Sequence, residues 1–108
     1  MFEGNVLADG QIPLTSTAIY TVPVSKRAIV TSFVVHNIQD TDTYDLLISM
    51  NVSGTDRQLY NFNLGPYQTV ELLNDNSWCL GTGDIIKAHT TSGTLKLDYV
   101  LMGAEETL

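Results

Sequence analysis

The stretch QDTDTYD, residues 39 to 45, gathers oxygen donors, and it is the first place to look for chemistry. Asp40, Asp42 and Asp45 could face a calcium ion, a hard cation that takes roughly six to eight oxygen ligands. An EF-hand loop also needs a central glycine and a distal bidentate glutamate, and neither is present. Asp and Thr in such a run also hydrogen-bond their own backbone, so a solvated hairpin loop is the reading adopted. His36 and His89 are the only histidines. A cupin-type metal site needs a histidine cluster with a carboxylate nearby, and no His-X-His pair exists to start one. Cys79 stands alone between Trp78 and Leu80. A nucleophilic thiol wants a lowered pKa and a basic neighbour, so this one reads as packed or inert. Trp78 with Tyr20, Tyr44, Tyr60, Tyr67 and Tyr99 could form a sugar-stacking platform, yet core and interface packing explains aromatic residues better. No pair of carboxylates stands out for glycoside hydrolysis. The sequence therefore assigns no catalytic residue, no cofactor and no metal.

Charge removes another class of function. Twelve acidic residues against five basic ones give a formal net charge of -7. The bases are Lys26, Arg27, Arg57, Lys87 and Lys96, scattered along the chain. Binding to a phosphate backbone depends on a basic patch that releases counterions, so neither nucleic acid nor an anionic membrane is an expected partner. The 108 residues suit one domain with a single two-layer core. No basic start followed by an apolar block opens the sequence, so no signal peptide is expected. Asn51-Val52-Ser53 fits a glycosylation sequon, which carries no weight without secretion. One cysteine allows no internal disulfide, in keeping with synthesis in a reducing cytoplasm.

The elements that would position any site are strands throughout. STAIYTV reads as a strand, and Pro23-Val24-Ser25-Lys26 turns it into RAIVTSFVVHN. In that long strand Ile29, Thr31, Phe33 and Val35 are expected on one face, with Ala28, Val30, Ser32, Val34 and His36 on the other. Both faces are largely apolar, which marks a strand covered on both sides or touching a partner subunit. YDLLISMNV, RQLYNFNL, QTVELL, SWCL, IIKAHTT and TLKLDYVLMGA follow, each set off by turn residues. About eight strands at this spacing predict a compact antiparallel β-sandwich, jelly-roll-like, with an immunoglobulin-like sandwich as the alternative. Residues 1–13 differ from the rest. Phe2, Val6, Leu7 and Ile12 lie among glycines and a proline, as expected of an extended N-terminal arm that reaches a neighbour. A first edge strand folding back on its own domain is the other reading of this segment. Residues 14–104 form the sandwich domain and 105–108 a polar tail.

Three stretches, IYTVPVSKRAIVTSFVVHN at 19–37, SGTDRQLYN at 53–61 and GDIIKAHTTSG at 83–93, resemble a recurrent pattern of small tailed-bacteriophage virion proteins. The likeness runs from about Ala18 to Gly103 and is one of strands and turns. Ser25 departs from it, standing where glycine is common, so a turn without positive φ is expected there. The resemblance implies a β-sandwich that assembles on the virion, as a capsid decoration (cement) protein or as a tail or fibre-associated component that grips host carbohydrate. A lone domain with an apolar arm favours decoration. On that reading the protein is made in the host bacterial cytoplasm and ends on the capsid surface. Its partners are the major capsid protein and itself, the trimer being a family-level expectation. Phe2, Val6, Leu7 and Ile12 are the expected arm contacts, and Ile29, Phe33 and Val35 the expected subunit interface.

The loop reading of 39–45 has a direct test. Bound metal stabilises a fold by mass action. Excess chelator is therefore expected to leave the unfolding temperature unchanged, and a drop restored by calcium would make Asp40, Asp42 and Asp45 ligands.

Overall fold

A two-residue turn at the middle of the chain organises everything around it. Ser53 and Gly54 both take positive φ, 53° and 86°, in the computed structural model, which describes residues 3–91 and 94–108. Two successive positive φ values are what a type I′ hairpin turn needs, because its twist matches that of the flanking strands. The turn joins β4 (Tyr44–Val52) to β5 (Thr55–Leu64). Outward from it, each strand of the first half pairs with one of the second half at a matching distance. Val52 faces Thr55 and Tyr44 faces Leu64. In β3 (Lys26–Asn37), Val34 faces Glu71 of β6 (Thr69–Glu71), and Ala28 faces Leu80 of β7 (Trp78–Leu80). In β2 (Thr17–Thr21), Tyr20 faces Ile86 of β8 (Ile85–His89). In β1 (Glu3–Gln11), Gly4 faces Ala104 of β9 (Leu97–Thr107). The chain is thus one long antiparallel ribbon.

Rolling that ribbon makes two sheets. β3 also pairs with β9, and β4 also pairs with β8. One sheet runs β1-β9-β3-β6, with β7 sharing the edge of β3, and the other runs β2-β8-β4-β5. Val30, Phe33, Val35 and Leu101 of the first sheet meet Leu46, Ile48 and Ile86 of the second, all with no exposed surface. The Phe33 ring packs edge-on against Tyr99 and Trp78, with centroids 6.0 and 6.5 Å away. Each such side chain contributes about 1.5–3 kcal/mol by leaving water.

The long strand does not keep its expected alternation. Ala28 and Val30 point inward, and so do Phe33, Val35 and Asn37. The phase changes because the register against β9 slips between Val30 and Ser32, leaving Thr31 as an extra residue. This corrects the assignment of Ile29, Phe33 and Val35 to one face. A second slip, between Val6 and Ala8 of β1, lies against the same part of β9. Gly103 sits at that crowded level. A Cβ there would lie 2.0 Å from the Ile29 carbonyl oxygen and 3.0 Å from the Val30 Cα.

Both ends of the chain depart from expectation. The segment read as an arm is an edge strand paired with β9, and Ile12 is fully buried with its N–H on the Leu97 carbonyl at 2.8 Å. Leu7 packs against the core and Val6 is half exposed, while Phe2 lies outside the described residues. The C-terminal residues read as a tail extend β9 to Thr107. Arg27 pairs with Glu106, and Lys26 with Glu105 at 3.6 Å. Ser25 has φ of 62°, so its turn does use the left-handed region.

Asn37, at the end of β3, ties the two layers together. Its buried amide nitrogen reaches the carbonyl oxygens of Asp42, Leu64 and Gly65 at 2.9 to 3.0 Å, and its Oδ1 accepts the Gln39 N–H.

Gly103→Ala is expected to cost about 3 kcal/mol or more, because the clash is with backbone that cannot rotate away. Gly81→Ala, whose Cβ would meet only the Asp84 carboxylate at 3.8 Å, should cost about 1 kcal/mol or less. Urea midpoints of the two variants check the contrast.

Candidate assembly surface

The two outer faces of the sandwich differ in chemistry. On the β1-β9-β3 sheet, cross-strand pairing places Val6, Met102 and Ser32 in one row and Asp9, Val100 and Val34 in the next. Side chains directly opposite share a face, so the valines and the methionine form an outward stripe. Val6, Met102 and Val100 are 50%, 43% and 38% exposed. Towards the β7 edge the stripe adjoins Ile29 and Cys79, which line a shallow apolar groove of about 450 Å³ with Ala28 and Leu80. Cys79 is exposed there and not packed away.

The outer face of the other sheet is more polar, yet it carries the half-buried Leu47 and Ile85 and, at the register slip of β5, Leu59 at 42% exposure. Asn51 donates to Asp56 at 2.8 Å and Lys87 donates to its other oxygen at 3.2 Å. Those bonds, Asn51 first, hold the Asp56 carboxyl below the usual carboxylate range. The Asp45 carboxylate accepts the Thr90 hydroxyl, the Thr91 N–H and the Thr91 hydroxyl at 2.9, 2.9 and 2.6 Å. Asp45 is thus committed to the next loop, while Asp40 and Asp42 lie exposed. Among the described residues no three His, Cys, Asp or Glu side chains gather as a metal site would require.

The remaining sequence candidates fall into place around this frame. His36 Nδ1 contacts the Thr69 hydroxyl at 2.6 Å, and its ring stacks on Tyr67. His89 lies across from Leu47 on the polar outer face. Tyr20, Tyr44 and Tyr99 are buried, and Trp78 packs on Phe33 and Tyr60. Of the three residues expected at a subunit interface, Phe33 and Val35 face the protomer's own core, which accounts for them without a partner. Ile29 alone looks outward. Val34, Val100 and Met102 were missed by the sequence reading. The alternation of LDYVLM, buried and exposed in turn, is the signal that would have found them.

No family model matches the chain, and no curated protein matches it. Among solved structures, a match is found to the crystal structure of a pentameric capsid protein isolated from metagenomic phage sequences. The identity is 18% and the TM-score 0.44. The match covers 95% of this chain and 60% of that one, so the chain spans less than two thirds of that structure's length.

Two buried phenols give the fold a pH limit. Burial first, then the hydrogen bond and charge of Glu105, push the Tyr20 hydroxyl well above its ordinary pKa, and it donates to Glu105 at 2.6 Å. Burial and then the charge of Asp9 raise Tyr99. Raised phenol pKa values favour the neutral form in the fold. Their contribution is complete below about pH 10, where an unfolded tyrosine ionises, and is lost as pH rises towards the folded values. The urea midpoint should be level up to about pH 9 and fall above about pH 10. Tyr20→Phe should flatten that alkaline limb; an unchanged limb would clear Tyr20 of responsibility.

Proposed function

We propose that this protein is a non-enzymatic structural component of a tailed-phage virion, a capsid decoration protein that binds the outer surface of the assembled head. The observation that carries the reading is the asymmetry between the two outer faces. A domain whose one sheet disperses Leu47, Leu59 and Ile85 among polar groups and whose other sheet gathers Val6, Val34, Val100 and Met102 in adjacent rows has a face suited to burial in an assembly. The resemblance of 18–103 to virion proteins supplies the particle. The strand orders β1-β9-β3-β6 and β2-β8-β4-β5 support a jelly roll, in which a folded ribbon supplies alternate strands to two sheets.

On this reading the stripe meets a second copy, and the copies form a trimer that sits on the shell. A stable interface of ordinary size buries about 800 Å² on each partner. Four apolar side chains on adjacent strands, with the adjoining groove, give such an area a dry centre. The segment read as an arm reaches no neighbour as a free extension: β1 is a strand of its own protomer and contributes only Val6 to the stripe. The tail or fibre reading would call for an exposed aromatic platform for sugar, and no observation favours it. Tyr20, Phe33, Tyr44 and Tyr99 are buried, Tyr60, Phe62 and Trp78 pack against the core, and Tyr67 alone among the described aromatic residues is largely exposed.

Sedimentation equilibrium at micromolar concentration is expected to give a trimer. Met102→Lys, which sets an ammonium in the centre of the stripe, should give a folded monomer with an unchanged circular dichroism spectrum. Heads assembled without the protein should pull the wild type down on centrifugation and gain resistance to heat. A wild-type monomer that stays in the supernatant would end the proposal.

A further inference from the structure

One end of the sandwich carries a second apolar surface, built differently from the stripe. Four connections meet there, following β1, β3, β5 and β8. Each holds one exposed apolar side chain: Leu14 at 40%, Ile38 at 38%, Tyr67 at 63% and Leu95 at 46%. The connections adjoin in a row and are fastened to one another by backbone hydrogen bonds. Thr90 N–H reaches the Pro13 carbonyl at 2.9 Å, Ile38 N–H the Lys96 carbonyl at 3.0 Å, and Tyr67 N–H the Gln39 carbonyl at 3.1 Å. The Asn37 side chain braces the middle of the row from beneath, through Gln39, Asp42 and Gly65. Loops so fastened present their side chains on a preformed surface, which saves ordering entropy on binding.

Tyr67 adds an independent observation. It has φ of 56°, and a bulky side chain in the left-handed region is a strained choice where glycine would sit freely. Strain of this kind persists where the side chain is needed for something other than stability. The hydroxyphenyl group is also the most exposed of the four.

Charge says what the surface would meet. Asp40, Asp42 and Asp98 are exposed at this end, where Lys96 is the one lysine or arginine among the described residues and His36, across from Asp98, stacks on Tyr67. Lys26, Arg27, Arg57 and Lys87 lie at or towards the opposite end, and the first two and Lys87 are paired with acids. The opposite end also exposes Val24, Val52 and Leu108, but separately, at two turns and at residue 108, beside charges that compensate one another. An acidic rim repels phosphate-rich surfaces and favours a basic one.

We propose that the loop end bearing Leu14, Ile38, Tyr67 and Leu95 is the docking face, and that its partner is a protein surface with an apolar patch rimmed by lysine or arginine. The inference rests on the decoration reading, which makes that surface part of the head shell, and leaves the valine-methionine stripe to contacts between copies.

Three variants and one control would be titrated onto heads assembled without the protein, in low and high sodium chloride. Leu14→Ser with Leu95→Ser should weaken binding at least tenfold. Asp40→Asn, Asp42→Asn and Asp98→Asn together should weaken it at low salt and abolish most of its salt dependence. Tyr67→Gly should weaken binding while leaving the unfolding temperature unchanged or higher, opposite signs that a purely structural residue would not show. Asn61→Ala, on the polar outer face, should bind as the wild type does. Wild-type protein that fails to bind overturns the decoration reading and this inference with it. Wild-type binding that all three loop-end variants match overturns the docking face alone.

Discussion

The pairing of β3 with β9 is the constraint on which the rest of the molecule depends. It runs from Lys26 against Thr107 to Asn37 against Leu97 and brings two distant parts of the ribbon side by side. Without it the chain would be a flat hairpin with no second layer to cover its apolar face. The same ladder sets the direction of every important side chain. Phe33, Tyr99 and Leu101 go to the core, while Val34, Val100 and Met102 go to the outer stripe. The bulges at Leu7 and Thr31 flank β9 and twist the sheet locally, and the cost of this curvature is that Gly103 admits no side chain.

Interior and exterior are therefore coupled through one strand. From Leu97 to Met102, β9 alternates a core residue with a surface residue, so a one-residue change in its register would expose Leu101 and bury Asp98 together. The ion pairs and the Tyr20–Glu105 bond lock one end of that register, and the Ile12 and Ile38 backbone contacts lock the other. A surface intended for assembly gains from this arrangement, because its geometry is held by the core and need not form on contact.

Much of this was legible in the sequence, and what was not had local physical reasons. Period-two alternation and turn residues marked eight strands correctly, since half-buried strands leave that pattern in the residue types. β1 was harder, because Gly4, Gly10 and the bulge at Leu7 interrupt the alternation in nine residues. In β3 the strand itself was plain, but both of its phases were apolar, so nothing in the residue types revealed the slip at Thr31. The tail was misjudged for a similar reason: Glu105 and Glu106 look solvated until their partners Tyr20, Lys26 and Arg27 are brought across from the far half of the chain. Asn37 looked like a strand end. Its amide matters because three carbonyl groups converge on it, and convergence is a property of the fold.

The position of the Ser53-Gly54 turn has a consequence for how the protein is made. Every strand pairing, those that rolling adds included, joins a strand synthesised before that turn to one synthesised after it. The first half of a nascent chain therefore has nothing to pair with as it emerges from the ribosome. β4 finds β5 first, β3 and β2 follow, and β1, the earliest strand to appear, waits for β9, the latest of the nine. During that interval the apolar strand β3 is in the open. A chain of this layout depends on rapid completion of synthesis, or on a chaperone, more than a protein of the same size with its partners close by in sequence.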